Sequence, residues 1–282
     1  VQLDDHRPLL LAPGEGETVA DHPDRTLRIL AELDQVIVSW FRYGPGRDGP
    51  EPHVHYLHTD AFYVLDGTLE LPLGPELEPV HARPGTLVAA PPNLAHTFRN
   101  SSDAHVSFLN IHAPSVLFGD EIRGVTNSGF EQYPVPEDGG RPLSDAILST
   151  PGEGERLEGH STTIVKVGGE RTGGHLAVYE TVLPPRAAGP PMHHHRRTAE
   201  VFYVLDGVFD FTVGGSSAVA GPNACVYVPP GVTHTFGNDG DTEACCLTVG
   251  GPAGVEAFIR EAVHADGSTL AELGRRHDTY LA

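Results

Sequence analysis

The amino-acid sequence predicts an all-β protein: two tandem antiparallel barrels or jelly rolls, with a short C-terminal helix packed outside. Three observations carry this. The chain has 282 residues, which suits two domains of roughly 140 residues each. Its 33 glycines and 25 prolines favour short strands and tight turns over long helices. And the chain repeats itself.

The segment Pro13-Gly14-Glu15-Gly16-Glu17 recurs as Pro151-Gly152-Glu153-Gly154-Glu155. Phe62-Tyr63-Val64-Leu65-Asp66-Gly67 recurs as Phe202-Tyr203-Val204-Leu205-Asp206-Gly207. Pro91-Pro92 with His96-Thr97-Phe98 and Asn100 recurs as Pro229-Pro230 with His234-Thr235-Phe236 and Asn238. Three blocks in the same order at nearly constant offset mark a duplicated unit. Residues 127–142 are rich in Gly, Pro, Asn, Ser and Asp, the composition of a linker. The expected domains are therefore 1–134 and 135–282, each with its own core.

In the first half, Gln35 to Tyr43, Ala61 to Leu65, Thr68 to Leu73, Thr86 to Ala89 and His105 to Ile111 read as strands, being β-branched or aromatic and bounded by turn residues. The second half answers with Thr162 to Val167, His175 to Leu183, Val201 to Leu205, Val208 to Val213, Cys225 to Val228 and Cys245 to Val249. Asp66-Gly67 and Asp206-Gly207 are expected to be hairpin turns between paired strands. The best helix spans Val255 to Ala265, with Val255, Phe258, Ile259, Ala262 and Val263 on one face. The first few residues are expected to form an arm crossing to the other domain.

Lys and Arg total 18 against 38 Asp and Glu, a formal charge of -20. Such a surface repels phosphate backbones, and the basic side chains form only pairs such as Arg196-Arg197 and Arg275-Arg276, which argues against a nucleic-acid partner. No apolar run exceeds strand length, so no membrane partner is expected either. The cysteines, Cys225, Cys245 and Cys246, are odd in number and include an adjacent pair. This argues against a disulfide framework and for a reducing, cytoplasmic location. No secretory pattern is visible, and because the chain opens at Val1 without a methionine, residues are expected to be missing before it.

The chemistry concentrates in a few histidines. His193 and His195 alternate in a strand-like stretch, so both point to one face. Glu200 opens the next strand, and His234 comes from a distant one. Three imidazoles and a carboxylate suit a divalent transition metal: Fe, Mn, Ni, Co or Cu, with Zn also accommodated. Such a set leaves positions open for substrate, which favours catalysis. By the same parity His194 faces away. The first half repeats the pattern at His53, His55, Asp60 and His96, so one metal per domain is expected. Aspartate is one methylene shorter than glutamate, and must pull its strand inward or bind through a water. His58 is a nearby alternative donor, read as a loop residue.

These residues resemble the two motifs of the cupin superfamily. The second half follows the first motif from His193 through Glu200 to Gly207, and the second through Pro229, Gly231, His234 and Asn238, with Asn223 where a glycine would lead. The first half keeps Gly85, Pro91, His96 and Asn100, with Asn93 in place of the turn glycine. Asparagine tolerates a left-handed backbone, so both departures are mild.

A nearer resemblance is to bacterial two-cupin quercetin 2,3-dioxygenases. It rests on Gly14 to Glu17, Gly152 to Glu155, Phe202 to Gly207 and Gly254 to Arg260. That resemblance implies a metal-dependent dioxygenase cleaving a flavonol or related aromatic enol with O2. Glu200 would then be both ligand and catalytic base, with Asp60 as its counterpart. Met192, Tyr203, Val204, Phe209, Phe211 and Phe236 are the candidate apolar walls. The alternatives are a cupin isomerase, cyclase, lyase or hydrolase without redox chemistry, and a non-enzymatic binder of small ligands. A monomer or a homodimer fits equally.

Overall fold

The computed structural model describes residues 9–265 and 269–282; of the expected N-terminal arm, residues 1–8 lie outside it. The chain forms two compact units, Gly16–Glu153 and Gly154–Ala282, the latter joined by the segment before Gly16. They are called the first and second repeat below. Both are all-β.

In the first repeat a seven-stranded antiparallel sheet runs in the order Ile147–Ser149, Leu87–Ala90, Thr59–Asp66, Val106–Ala113, Val36–Tyr43, Arg25–Leu33, Glu17–His22. The second repeat has the same sheet: Leu9–Leu11, Cys225–Val228, Ala199–Asp206, Ala244–Gly251, Ala177–Leu183, Thr162–Val167, Glu155–Glu158. The edge strands explain the unit boundaries. Leu9–Leu11 pairs with Cys225–Val228, as Ile147–Ser149 pairs with Leu87–Ala90. A cut at 134/135 would separate Ile147–Ser149 from its partner. The linker-like stretch 127–142 instead lies within the first unit, where Tyr133–Pro134 pairs with His53–Val54.

Strand periodicity located most of these elements because their inner faces are apolar. Arg25–Leu33 is an exception: its Arg and Glu residues hide a buried run that includes Leu27, Ile29, Leu30 and Ala31. In the second repeat the core gathers Phe202, Val204, Phe209, Phe211, Val226 and Cys246, with Phe236 packed against it. In the first, Phe41, Phe62, Phe98 and Phe108 pack with ring centroids 5.2–6.3 Å apart. Each such ring contributes roughly 1.5–3 kcal/mol by leaving water.

The Asp-Gly turns are not hairpins. Thr59–Asp66 belongs to the large sheet, whereas the following strand, Leu69–Leu73, pairs with Glu78–Ala82. In the second repeat Phe209–Val213 likewise leaves the large sheet and pairs with Ser216–Ala220 and His234–Asn238. The cause is a bulge just before each turn: the register skips Leu65 in one repeat and Leu205 in the other. A bulge bends its strand, and here the bend carries the chain from one sheet to the other. Gly67 and Gly207 then turn the corner at φ +76° and +70°, with the backbone of His105–Val106 and of Glu243–Ala244 so close that a Cβ at either would clash.

The predicted C-terminal helix is present as Val255–Ala262, and a second one, Leu270–Arg276, follows. The first packs Val255, Ile259 and Val263 against Leu157, Val165 and Tyr179. The second returns the chain so that Thr279–Leu281 pairs with His193–His195. Among the described residues no helix is long and apolar enough to cross a membrane.

Substituting the second corner, Gly207→Ala, places a Cβ 2.6 Å from Ala244 Cα and the Glu243 carbonyl oxygen, at a φ that L residues avoid. It is expected to cost about 1–3 kcal/mol, read as a lower urea midpoint at unchanged slope.

Candidate metal centres

Each His-x-His segment lies between two pairing segments, and this placement aims the rings. In the second repeat His193 pairs with His234 on one side, while His193–His195 pairs with Thr279–Leu281 on the other. Each imidazole donates its Nδ1–H to a backbone carbonyl: His193 to Pro191 at 2.8 Å, His195 to Asp278 at 3.1 Å, His234 to Val232 at 3.1 Å. That fixes the tautomer and turns each Nε2 inward. Glu200 completes the group, and candidate ligand atoms of the four buried residues lie within 4.8 Å of one another. Glu200 Oε2 is 2.8 Å from His234 Nε2 and 3.1 Å from His195 Nε2. Its Oε1 accepts the Tyr179 hydroxyl at 2.9 Å.

Burial alone would push the Glu200 carboxyl up, but His195 and His234 outweigh it and hold the group well below the usual range. Burial and the Glu200 charge hold the Tyr179 hydroxyl well above its ordinary value, so it stays a donor. Burial pulls His195 down, yet Glu200 leaves it raised overall. Burial and His234 lower His193 to about 4.

The first repeat gathers His53, His55, Asp60 and His96 in the same way, within 4.8 Å. Their Nδ1–H groups also go to carbonyls: His53 to Glu51 at 2.7 Å, His55 to Glu131 at 2.6 Å, His96 to Leu94 at 2.8 Å. His55 Nε2 is buried with no hydrogen-bond partner, as expected of an atom reserved for a ligand. The shorter carboxylate sits differently. Asp60 Oδ2 reaches His96 Nε2 at 3.2 Å, while Oδ1 accepts from Asn110 at 2.6 Å and lies 3.5 Å from His112 Nε2. Burial raises the Asp60 carboxyl above its usual range, against the pull of His96 and Asn110. Burial and His96 push His53 down to about 3. In both repeats three neutral-capable imidazoles and a carboxylate fit one divalent transition metal.

The asparagines standing for motif glycines adopt the left-handed backbone, Asn93 at φ +65° and Asn223 at +67°. His194 faces away from the cluster and stacks on Tyr280 at 5.3 Å. Of the candidate walls, Val204, Phe209, Phe211 and Phe236 belong to the core around Phe202, whose ring lies 6.1 Å from His234. Tyr203 does not share that face. It alternates with Glu200 and Phe202 along the strand, and its hydroxyl reaches Asn223 at 3.1 Å. Half-buried Met192 precedes the His-x-His strand, its carbonyl accepting from Ala282 at 2.9 Å.

Several residues around these sites escaped the sequence reading. Tyr179 lay in an expected strand but in no motif. Asn110, His112, Glu131 and Asp278 join the sites only through cross-strand pairing or long loops. His58 does lie in a loop, as expected, but it is buried beside His55, with ring centroids 4.0 Å apart.

The model for the Cupin domain matches residues 39–112 and 179–250, the stretches that carry both clusters. The chain belongs to the cupin family. Solved structures similar to this bicupin include a protein of Pseudomonas aeruginosa named as glyoxylate-induced, with TM-score 0.64, 14% identity, and 88% and 90% of the two chains covered. They also include the oxalate decarboxylase of Lactobacillus farciminis, with TM-score 0.61, 11% identity, and 93% and 95% covered. A mutant of Bacillus subtilis oxalate decarboxylase has TM-score 0.61, 16% identity, and 97% and 88% covered. At these identities the likeness is one of fold. Among curated proteins, the mannose-1-phosphate guanylyltransferase of Escherichia coli is 38% identical over 60 residues, covering 21% of this chain and 12% of that protein. The match thus spans a small part of that relative's length. One buried metal-type cluster per repeat supports a metal-dependent enzymatic function.

The two sites differ in how they meet acid. An imidazole with a depressed folded pKa costs stability as pH falls, because the unfolded chain takes up the proton first. In the metal-stripped protein His53 carries that cost from about pH 6.5 down to about 3, and buried His55 and His112 are lowered too. The raised Asp60 carboxyl, which takes up its proton more readily in the folded state, returns part of it, one group against three. In the second repeat His193 acts likewise down to about 4. There the raised His195 contributes stability below its unfolded value, and the depressed Glu200 above its own, so the pair offsets the loss between about 4.5 and 6.5. Hydrogen exchange at pH 5 on metal-stripped protein should therefore show Thr59–Asp66 losing protection before Ala199–Asp206. The reverse order would contradict the assignment.

Proposed function

We propose that the protein is a metal-dependent lyase or isomerase of the bicupin type, acting at the second repeat without net redox change. Its substrate would be a small molecule presenting two adjacent oxygens, such as a 2-oxo acid, a dicarboxylate or an enol. The proposed ligands are His193, His195, Glu200 and His234, with His53, His55, Asp60 and His96 in the first repeat. The observation that carries the reading is the Glu200–Tyr179 pair, a carboxylate held ionised against a phenol held protonated, 2.9 Å apart. A bound divalent metal polarises an oxygen it coordinates. Glu200 Oε2 can then accept a proton from the substrate and return it at a neighbouring atom. Tyr179 positions that carboxylate by holding Oε1. The oxalate decarboxylases of the same fold support a non-oxidative reading by their names.

Flavonol cleavage with O2 is the second reading, supported by the Phe202 to Gly207 segment next to Glu200. The other quercetinase-like segments do not bear on the site. Arg260 of Gly254 to Arg260 binds Glu155, which ends Gly152 to Glu155, at 2.6 Å, and Arg123 binds Glu17 in the same manner. These are structural clamps shared by the repeats. The three cysteines are free thiols, which supports a reducing compartment such as the cytoplasm.

The test is turnover of metal-reconstituted protein with 2-oxo acids, dicarboxylates, enols and quercetin, under air and without oxygen. Oxygen-independent turnover is expected. Turnover of quercetin only with O2 uptake would move the protein to the second reading. Glu200→Gln should lower kcat by about 10²–10⁴, whereas Asp60→Asn should leave it largely intact. Tyr179→Phe should keep activity but move the acid limb of the pH–rate profile upward by about one unit, through loss of a hydrogen bond to the ionised carboxylate.

A further inference from the structure

The first repeat holds more histidine than its metal cluster uses. His55, His58 and His112 form a second group whose candidate ligand atoms lie within 4.8 Å of one another. They are 2%, 0% and 2% exposed. The ring centroids are 4.0 Å apart for His55–His58, 5.0 Å for His58–His112 and 5.7 Å for His55–His112. Phe130 packs against all three, at 5.3–5.6 Å, and Phe118 stacks on His112 at 3.7 Å.

Glu131 organises two of the three rings. Its carbonyl accepts His55 Nδ1–H at 2.6 Å, and its Oε2 lies 3.3 Å from His58 Nδ1. The carboxylate is anchored in turn by the backbone N–H groups of Tyr56 and Leu57. A carboxylate or carbonyl on Nδ1 is the usual outer partner of a metal-bound imidazole, and it presents Nε2 to the ion. His55 Nε2 and His112 Nδ1 are buried with no hydrogen-bond partner. Burial holds His55 and His112 neutral, the form that binds metal.

The second repeat supplies the control. Asp278 repeats the role of Glu131, its carbonyl accepting from His195 and its carboxylate from the Arg197 N–H. The residue pairing with the carboxylate position there is Gly250, where the first repeat has His112. Thr198, two residues before Glu200 as His58 is before Asp60, bonds the Pro252 carbonyl instead. The fold therefore does not require imidazoles at these two places.

We propose that the first repeat has a second metal position, formed by His55, His58 and His112, overlapping the position of His53, His55, Asp60 and His96. Both use His55 Nε2, since His55 Nδ1 is committed to Glu131, so one ion occupies one position or the other. An all-imidazole set without a carboxylate suits borderline ions such as cobalt, nickel, copper or zinc. The inference rests on the metal-centre assignment only through His55 and makes no use of turnover.

The test counts cobalt(II) bound to metal-stripped full chain by equilibrium dialysis, with visible absorption reporting its ligand field. His193→Ala and His234→Ala silence the second repeat; His53→Ala and His96→Ala silence the first position. That chain should still bind one cobalt, and adding His58→Phe and His112→Phe, which keep ring packing, should abolish it. No cobalt on the first chain, or equal cobalt on both, would overturn the proposal, provided circular dichroism shows both folded. A milder cycle covers misfolding: with the second repeat silenced, His53→Gln and His58→Phe are compared singly and together. Because either position can hold the ion, the double variant should weaken binding by about tenfold or more beyond the product of the single effects. Purely multiplicative effects would overturn it.

Discussion

Six ring-to-carbonyl hydrogen bonds govern both sites. Each metal-type imidazole gives its Nδ1–H to a main-chain oxygen, and four of the six acceptors lie two residues back along the same segment. The other two, Glu131 and Asp278, come from chain that returns late to the His-x-His strand. The strand pairings of Tyr133–Pro134 and Thr279–Leu281 therefore do more than close a sheet. They bring the carbonyls that orient His55 and His195, and without them those rings would lack a fixed tautomer.

The carboxylates show how a duplicated scaffold diverges in small steps. Ser39 and Tyr179 occupy the same register, opposite Asn110 and Thr248 respectively. In the second repeat the tyrosine reaches across to Glu200, and Gly250, opposite Glu200, contributes no side chain of its own. In the first, the small Ser39 leaves Asp60 to Asn110 and His112. One methylene at the carboxylate is thus accompanied by three neighbouring exchanges. The outcome is electrostatic as well as steric: Glu200 is held ionised by two imidazoles, whereas burial dominates at Asp60.

Much of this was legible in the sequence because it obeys a period of two or a repeated spacing. The alternation of His193 and His195, the matched blocks around Gly67 and Gly207, and the apolar strands all give local signals. The misses share a different cause. Asp-Gly reads as a hairpin from four residues, but the bulge at Leu65 or Leu205 that redirects the strand is visible only in its pairing with a distant one. Tyr203 leaves the face of Glu200 by the same parity that turns His194 away, so its aromatic character alone was a poor guide to the site. Glu131 and Asp278 perform equivalent tasks, yet they fall outside the constant offset of the repeats, since the loops leading to them differ in length. Leu270–Arg276 is too short, and interrupted by Gly274, to show a helical face.

The duplication also separates fold from chemistry in the resemblance to known enzymes. A feature that serves the scaffold should appear in both repeats whatever their sites contain. The Glu17–Arg123 and Glu155–Arg260 pairs do so, each tying an edge strand of its repeat's large sheet to a helical segment. Gly16 and Gly154 do so too, since an added Cβ at either would press on a carbonyl of the neighbouring strand, Ile29 or Val165. Tyr179, His58 and His112 fail that test, having no counterpart of like chemistry in the other repeat. Because the barrel forms without them, their placement around the carboxylates answers to what each site binds, and the difference in chemistry between the two repeats has to be sought there.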